Sequence, residues 1–433
     1  MPRDLTKKKK LTGSVLTATI LSVLFAGLGQ LYNRRYIKGV LFIILELSFL
    51  ITLGNFITTG LWGIRTLGVY AGEDHSILLL IEGIIALLIL VFALVLYVYN
   101  IVDAKKNAER RVAGEPNPSI RKSLKDGWDL GFPYIFVTPG LIMLTFIVIL
   151  PILFTLALAF TDYTFNNQPP RNLLSWVGFD NFAKLFEQDG IWRNTFISVF
   201  AWTIVWTVVA TTLQVGLGLF LAILVNDPRV KFKRLIRTIL ILPWAVPAFV
   251  TILVFTAMFN GNFGAINQDI MEPLFGVTVP WLEDPLYARM ALIMIQTWLG
   301  FPFVFALFTG VLQSISKDWY EAADVDGGSR WQKFRFITLP HVLFATAPLL
   351  IMQYAGNFNN FNIIYLFNAG GPPVRGQNAG GTDILISWVY NLTFELNQYN
   401  MAAAISIILG LLVSIFAFFQ FRKTRAFKEE GEM

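Results

Sequence analysis

Apolar residues along this chain gather into nine long runs, at about 13–32, 40–58, 77–101, 133–161, 194–225, 238–260, 290–314, 338–365 and 397–421. A helix needs about 20 predominantly apolar residues to cross a bilayer, so the pattern predicts an all-α polytopic membrane protein. The stretches between the runs sort by basic charge. Residues 1–12, 33–39, 102–132, 226–237, 315–337 and 422–433 together hold 28 of the 34 Lys and Arg residues. The bias of Lys and Arg toward the inner side places these stretches in the cytoplasm. Loop 226–237 is the clearest instance, with Arg229, Lys231, Lys233, Arg234 and Arg237, whereas loop 261–288 carries Asp269, Glu272, Glu283 and Asp284 and no basic residue before Arg289.

The first run is an exception, because both of its flanks are basic: Lys7 to Lys10 before it, Arg34, Arg35 and Lys38 after it. A spanning helix cannot have both ends inside, and Gly27 and Gly29 weaken a helix there. A re-entrant or interfacial element is expected, and a cleaved signal peptide is disfavoured because no A-x-A-like site closes the run before Tyr32. Eight transmembrane helices then follow from residue 40 onward, with both termini cytoplasmic.

Composition narrows the function. Of 433 residues 55% are hydrophobic and 14% charged, against about 25% charged in soluble domains. The absence of cysteine excludes disulfides, thiolate nucleophiles and thiolate metal sites. His75 and His341 are the only histidines, and no G-x-x-x-x-G-K-[ST] phosphate loop occurs, so no cofactor or nucleotide site belongs to this chain. The net charge of +6 follows from the topology and gives no reason to invoke nucleic acid.

The last six runs contain no Asp, Glu, Lys or Arg. Ionisable residues inside spans mark ion pathways and proton relays, so an ion-coupled carrier is disfavoured. Glu46 and Glu82, in the second and third runs, are read as reaching toward lipid headgroups. The later runs carry neutral polarity instead. Gln353, Asn357 and Asn360 fall at i, i+4 and i+7, one face of a helix, while Gln296, Leu299 and Gly300 share a face by the same spacing. Trp244 and Ala248 lie one turn apart, with Pro243 and Pro247 loosening the helix around them. Amides there can act as interhelical adhesives. Three on one face, with an indole and small residues nearby, read better as a polar cavity for a neutral, hydroxyl-rich solute.

Between the seventh and eighth runs, Ser316 is a candidate N-cap, Asp318 suits the first turn, and Gly327 and Gly328 stop the helix. A short surface helix is expected, presenting Trp319, Ala322 and Ala323 as an apolar patch beside Glu321, a shape suited to a partner's groove. The run Glu321-Ala322-Ala323, Gly327 and Ile337-Thr338-Leu339-Pro340 resembles, without a spacing departure, the EAA loop of permeases of ATP-binding-cassette (ABC) importers. Leu242–Phe249, Asn262–Asn267, Thr297–Pro302, Asn357–Phe361 and Asn368–Pro372 are similar to the larger membrane subunit of bacterial maltose and maltodextrin importers.

That resemblance covers about residues 130–425 and implies a type I importer permease core of six helices at 131–425. An accessory amino-terminal region then occupies 1–130, the coupling loop 315–340, and a cytoplasmic tail 426–433. It implies an ATPase-coupling role for Trp319, Glu321, Ala322, Ala323 and Gly327, and sugar contacts at Trp244, Ala248, Gln296, Leu299, Gly300, Gln353, Gly356, Asn357 and Asn360. At Trp244, Ala248, Gln296, Gln353 and Gly356 the family carries Tyr, Ser, Asn, Ser and Phe, so an oligosaccharide is better supported than maltose itself. The implied partners are a second, homologous permease, an ATPase dimer that uses the ATP, and an extracellular sugar-binding protein. Residues 162–192, with Trp176, Phe179 and Phe182, are much shorter than the family's extracytoplasmic domain, which suits a lipid-anchored binding protein. The competing reading is a nucleotide-independent secondary carrier or a membrane-assembly factor. It predicts inverted repeats or a buried ionisable site, which the sequence lacks, and leaves the EAA loop unexplained.

Overall fold

The computed structural model describes residues 14–115 and 120–423; the basic stretch at Lys7–Lys10 and the tail at 426–433 lie outside the described residues. Among the described residues the regular structure is helical, broken only by isolated β-bridges in loops. Among the described residues six helices are long and apolar enough to cross a bilayer: Tyr36–Thr66, Ser76–Val112, Gly131–Leu158, Ile191–Asn226, Pro285–Ser314 and Arg330–Asn368. A pair, Lys233–Ala245 and Ala248–Met258, is bent by 88° and makes up to seven if counted as one span. The ninth run also forms a helix, but its apolar stretch, Tyr399–Ile415, is shorter. The expected eight transmembrane helices are thus not matched by this count, which gives six or seven among the described residues.

Packing divides the chain into two compact units, at Trp176. The division expected at 130 reflects likeness to a family rather than packing. The first unit opens with α1 (Ser14–Leu24), α2 (Leu28–Tyr32), α3 (Tyr36–Thr66) and α4 (Ser76–Val112). At about 1.5 Å per residue, α1 is roughly half as long as a bilayer requires. The chain turns at Gly27, whose φ of 89° is strained for any residue with a Cβ. Gly27 and Gly39 approach backbone to backbone, and a Cβ on Gly29 would run into the Ala18 carbonyl and the Ser22 hydroxyl.

Polar groups freed by this turn are satisfied by α3 and α4. Asn100 Oδ1 accepts from Gly27 N (3.1 Å), Gln30 Nε2 donates to Asn100 O (2.9 Å), and Asn33 Nδ2 donates to Ala104 O (2.9 Å). Glu46 accepts from Ala26 N at 2.5 Å. The expectation that Glu46 extends to the headgroups is therefore corrected, because an unpaired amide in hydrocarbon would cost more than the carboxylate's detour.

The α3–α4 hairpin closes through glycine. A Cβ on Gly60 would meet Ala86 and the Glu82 backbone, and one on Gly63 would meet Leu79, the close approach that small residues permit between spans. Next come α5 (Ile120–Leu144), a π-helical turn (Thr145–Ile149) and α6 (Leu150–Leu158). The following loop returns to the hairpin: Leu174 N donates to Ser76 Oγ (3.0 Å) and Trp176 Nε1 to Ile64 O (3.1 Å).

The second unit contains α7 (Asp180–Lys184), α8 (Ile191–Asn226), α9 (Lys233–Ile241), a 3-10 turn (Leu242–Ala245), α10 (Ala248–Met258), α11 (Glu272–Phe275) and α12 (Pro285–Ser314). It continues with α13 (Lys317–Val325), α14 (Arg330–Lys333), α15 (Leu339–Phe358), α16 (Phe361–Asn368), α17 (Leu385–Phe394) and α18 (Tyr399–Lys423). Helices α8 and α12 form its central pair. Gly218 lets α8 sit against Val304 and the Phe305 backbone. One core cluster joins Trp202, Trp206, Leu292, Ile295, Ile364 and Phe367; another joins Phe196, Trp388, Leu392 and Ile405.

Loop 369–384 is pinned by buried Asp383, which accepts from Gly380 N (2.8 Å), Ser387 Oγ (2.7 Å) and Asn391 Nδ2 (3.2 Å). Burial nevertheless pushes its carboxyl up to about 6, so the charged form is a net cost to the fold. A raised folded-state value means that the stabilising contribution is full below the ordinary aspartate value of 3.8 and is lost as pH rises through about 6. Thermal unfolding in detergent should show this loss between pH 4 and 6 in the wild type, and Asp383→Asn should flatten it. In the first unit, Gly27→Val should destabilise the turn by about 1–3 kcal/mol. Tryptic cleavage at Arg34–Arg35 should then accelerate, while cleavage in loop 226–237 stays at the wild-type rate.

Candidate substrate path and coupling helix

The sixth run is not one helix. Pro243 and Pro247 lack the N–H groups that would continue α9 into α10, and the chain passes through a 3-10 turn and an 88° bend. Trp244 and Ala248 consequently sit on either side of the bend, not one turn apart on a helix face. Trp244 is 57% exposed and meets Phe303 of α12 edge-on at 5.8 Å. Ala248 begins α10 and is also exposed.

The expected amide face is likewise interrupted. Helix α15 ends at Phe358, and Asn360 is the N-cap of α16, so Gln353, Asn357 and Asn360 do not share one continuous helical face. Asn357 is buried, and its Nδ2 donates to Thr211 Oγ1 (2.8 Å) while its Oδ1 accepts from Gln296 Nε2 (2.8 Å). Its backbone carbonyl accepts from Trp206 Nε1 (2.9 Å). Gln296, also buried, accepts from Asn360 Nδ2 (3.2 Å) and donates to Gln214 Oε1 (3.3 Å).

Asn357 and Gln296 thus act as a hydrogen-bonded tie between α8, α12 and α15, while Asn360 lies at its half-exposed margin. Gly300 is small because Gln214 lies over it: an added Cβ would collide with the Gln214 amide. Leu299 packs at the edge of the first core cluster. Gln353 is half-buried, and Gly356 is exposed, with open space where a Cβ would sit. The structure therefore brings Gln296, Gly300, Asn357 and Asn360 together and leaves Trp244, Ala248 and Gly356 on open surface. Sequence reasoning missed Thr211, Gln214 and Trp206. Gln214 was detectable, as the one amide between Thr195 and Val225 in an otherwise apolar run.

In the loop after α12, Ser316 caps α13 by accepting from Asp318 N (3.2 Å), and Gly327, with φ 73°, turns the chain out of it. Trp319 is 51% exposed, and Glu321 and Ala322 are exposed, while Ala323 is half-buried, its carbonyl accepting from Gly328 N (2.7 Å). The helix is fixed to the base of the next span. The Tyr320 and Thr338 hydroxyls share a hydrogen bond (2.8 Å), Lys333 pairs with Asp324 (2.5 Å), and Trp319 meets His341 edge-on at 5.4 Å. A capping box between Ser329 and Gln332 starts α14, and a π-helical turn, Phe334–Thr338, leads into α15. Among the described residues no cluster of His, Cys, Asp or Glu could hold a metal ion.

Comparison with known proteins defines the class. Residues 214–426 match the family described as the binding-protein-dependent transport system inner membrane component. With relatives of 46–52% identity along nearly its whole length, the chain belongs to this family: it is a multi-pass transport permease and not an enzyme.

Within the family, it is 52% identical to a galactooligosaccharides transport system permease of Bacillus subtilis, over 96% of this chain and 99% of the relative. It is 46% identical to a maltodextrin transport system permease of the same organism, over 99% of both chains. A maltose/maltodextrin permease of Vibrio vulnificus is 40% identical over 58% of this chain and 48% of its own length. The fold matches a permease of a solved bacterial transporter for alginate import, with a TM-score of 0.57 and 23% identity, over 71% of this chain and 98% of that one. A second structure of the alginate transporter was solved in complex with a periplasmic protein bound to alginate pentasaccharide.

Replacing Asn357 with Leu would strand Thr211 and Gln296 without their buried partner, at about 1–3 kcal/mol. Asn357→Leu should therefore lower the thermal midpoint of the detergent-solubilised protein, whereas Gly356→Ala, into open space, should leave it unchanged.

Proposed function

We propose that this permease imports neutral oligosaccharides of the maltodextrin type. What carries the reading is near-complete coverage at 44–52% identity by relatives named for maltodextrin and galactooligosaccharide transport. The positions that the family resemblance marks for sugar contact are all uncharged, which supports it: Trp244, Ala248 and Gly356 are exposed, Gln353 and Asn360 half-buried, and Gln296, Leu299, Gly300 and Asn357 lie behind them. Amides match sugar hydroxyls as donors and acceptors, and an exposed indole offers a ring face. The 52% relative favours a second reading, in which the sugar is a galactooligosaccharide. Uptake of labelled maltodextrins against galactooligosaccharides by the assembled transporter decides between them.

In this reading residues 131–425 form the permease core and residues 1–130 an accessory membrane region. A second permease completes the path, and both termini lie in the cytoplasm, on the side to which 28 of 34 basic residues are assigned. A sugar-binding protein, tethered by lipid, delivers substrate from outside. An ATPase dimer receives α13, with Trp319 and Ala322 entering its groove, Glu321 and Ala323 beside them and Gly327 ending the helix. ATP binding and hydrolysis then alternate the path between its outward- and inward-facing states, and the Tyr320–Thr338 and Lys333–Asp324 contacts carry the motion into α15.

Glu321→Lys should abolish uptake while the permease still inserts; uptake at the wild-type rate would remove the coupling role. Asn360→Leu should raise the KM for sugar roughly ten-fold, as for loss of one good hydrogen bond, with the complex still assembled. Loss of assembly instead would assign Asn360 to helix adhesion.

A further inference from the structure

Four aromatic rings continue outward from Asn360. Phe361 and Tyr365 lie one turn apart on α16 and stack at 5.1 Å with 18° between their planes. Tyr390 of α17 meets Phe361 at 4.8 Å and Tyr365 at 4.9 Å, and Phe394 follows Tyr390 at 4.7 Å. The opposite faces of the same helices are sealed into the core: Ile363, Ile364 and Phe367 from α16, Trp388 and Leu392 from α17. The ladder faces away from that core, with Phe361, Tyr365 and Tyr390 half-buried and Phe394 66% exposed.

Its position along the span is informative. The coupling loop feeds the Arg330 end of the interrupted span Arg330–Asn368, and Phe361 and Tyr365 of the ladder lie at the other end, with Tyr390 and Phe394 of α17 against them. A ring of aromatics at the membrane interface is the ordinary reason for such residues. An interfacial belt spreads its rings around the perimeter, however, whereas these are packed in series and begin at the residue after Asn360, whose amide donates to Gln296 (3.2 Å).

We propose that Phe361, Tyr365, Tyr390 and Phe394 form an outer stacking track for oligosaccharides, so that long chains gain contacts beyond the amide site that short ones do not reach. The inference rests on the oligosaccharide reading above and adds the determinant of chain length. Sugar rings present apolar C–H faces that stack on aromatic rings, and neighbouring rings here are separated by about the length of one pyranose unit. The Asp383 network fixes the start of α17, and so the register of Tyr390 and Phe394 with α16.

The test is uptake by the complete transporter of a maltodextrin series from disaccharide to long chains, with Phe361→Leu, Tyr390→Leu and Phe394→Leu. Leucine keeps each position apolar, so a lipid-facing belt would tolerate it, and the exposed Phe394 can be replaced without disturbing the core. The expected result is a KM for long chains raised roughly three- to ten-fold, the factor that one aromatic stacking contact contributes, with the disaccharide changed much less. Equal effects on all lengths, or none from any variant, would overturn the track while leaving the transport reading intact. A wild-type transporter that takes up no oligosaccharide would overturn both.

Discussion

The hydrogen bond from Gln296 Nε2 to Asn357 Oδ1, 2.8 Å long, ties α12 to α15 where the second unit needs it most. Just beyond it α15 ends, and the chain must restart as α16. Water is not available in hydrocarbon to satisfy the groups that a broken helix frees, so irregular backbone survives only where protein or a lined cavity supplies partners. Trp206, Thr211 and Gln214 of α8 complete that supply. The same constraint shapes the first unit, where the turn at Gly27 is held by Asn100 and Glu46.

Around these ties, small residues set the distances. Gly218 brings α8 onto α12, and Gly300 leaves room for Gln214. Gly60 and Gly63 do the same for the α3–α4 hairpin. Spans have little hydrophobic drive to associate inside lipid, and close backbone approach with a few interhelical hydrogen bonds replaces it.

Much of this was legible in the sequence because apolar length and basic asymmetry are one-dimensional. The runs coincide with helical segments, broken in the sixth and eighth, the first forms only the short apolar helix Ser14–Leu24 and α2, and Ser316, Gly327 and the EAA spacing place α13. Helical periodicity failed where the helix itself failed. Extending one face from Gln353 through Asn357 to Asn360 assumed a continuous helix, but the turn at Asn359 makes Asn357 a buried tie and leaves Asn360 at the margin. Trp244 and Ala248 were separated for the same reason, although Pro243 and Pro247 had announced the break. Gln214, Thr211 and Trp206 were missed because partners across helices have no fixed sequence spacing. Glu46 was misjudged because its partner, Ala26 N, lies in the turn of a different element.

The attachment of α13 to the foot of α15 also sets a mechanical scale. Tyr320, Asp324 and Trp319 are bonded or packed to Thr338, Lys333 and His341, which fastens the short helix to the start of the long one as one piece. From Leu339 to Phe358 that piece extends ~30 Å, and a π-helical turn, a common site of local adjustment, sits at its base. A tilt of a few degrees there displaces Asn357 by roughly the length of a hydrogen bond. In the coupling reading proposed above, nothing along α15 need deform: a rigid arm of this length would turn a small push on one side of the membrane into the parting of a single amide pair near its other end.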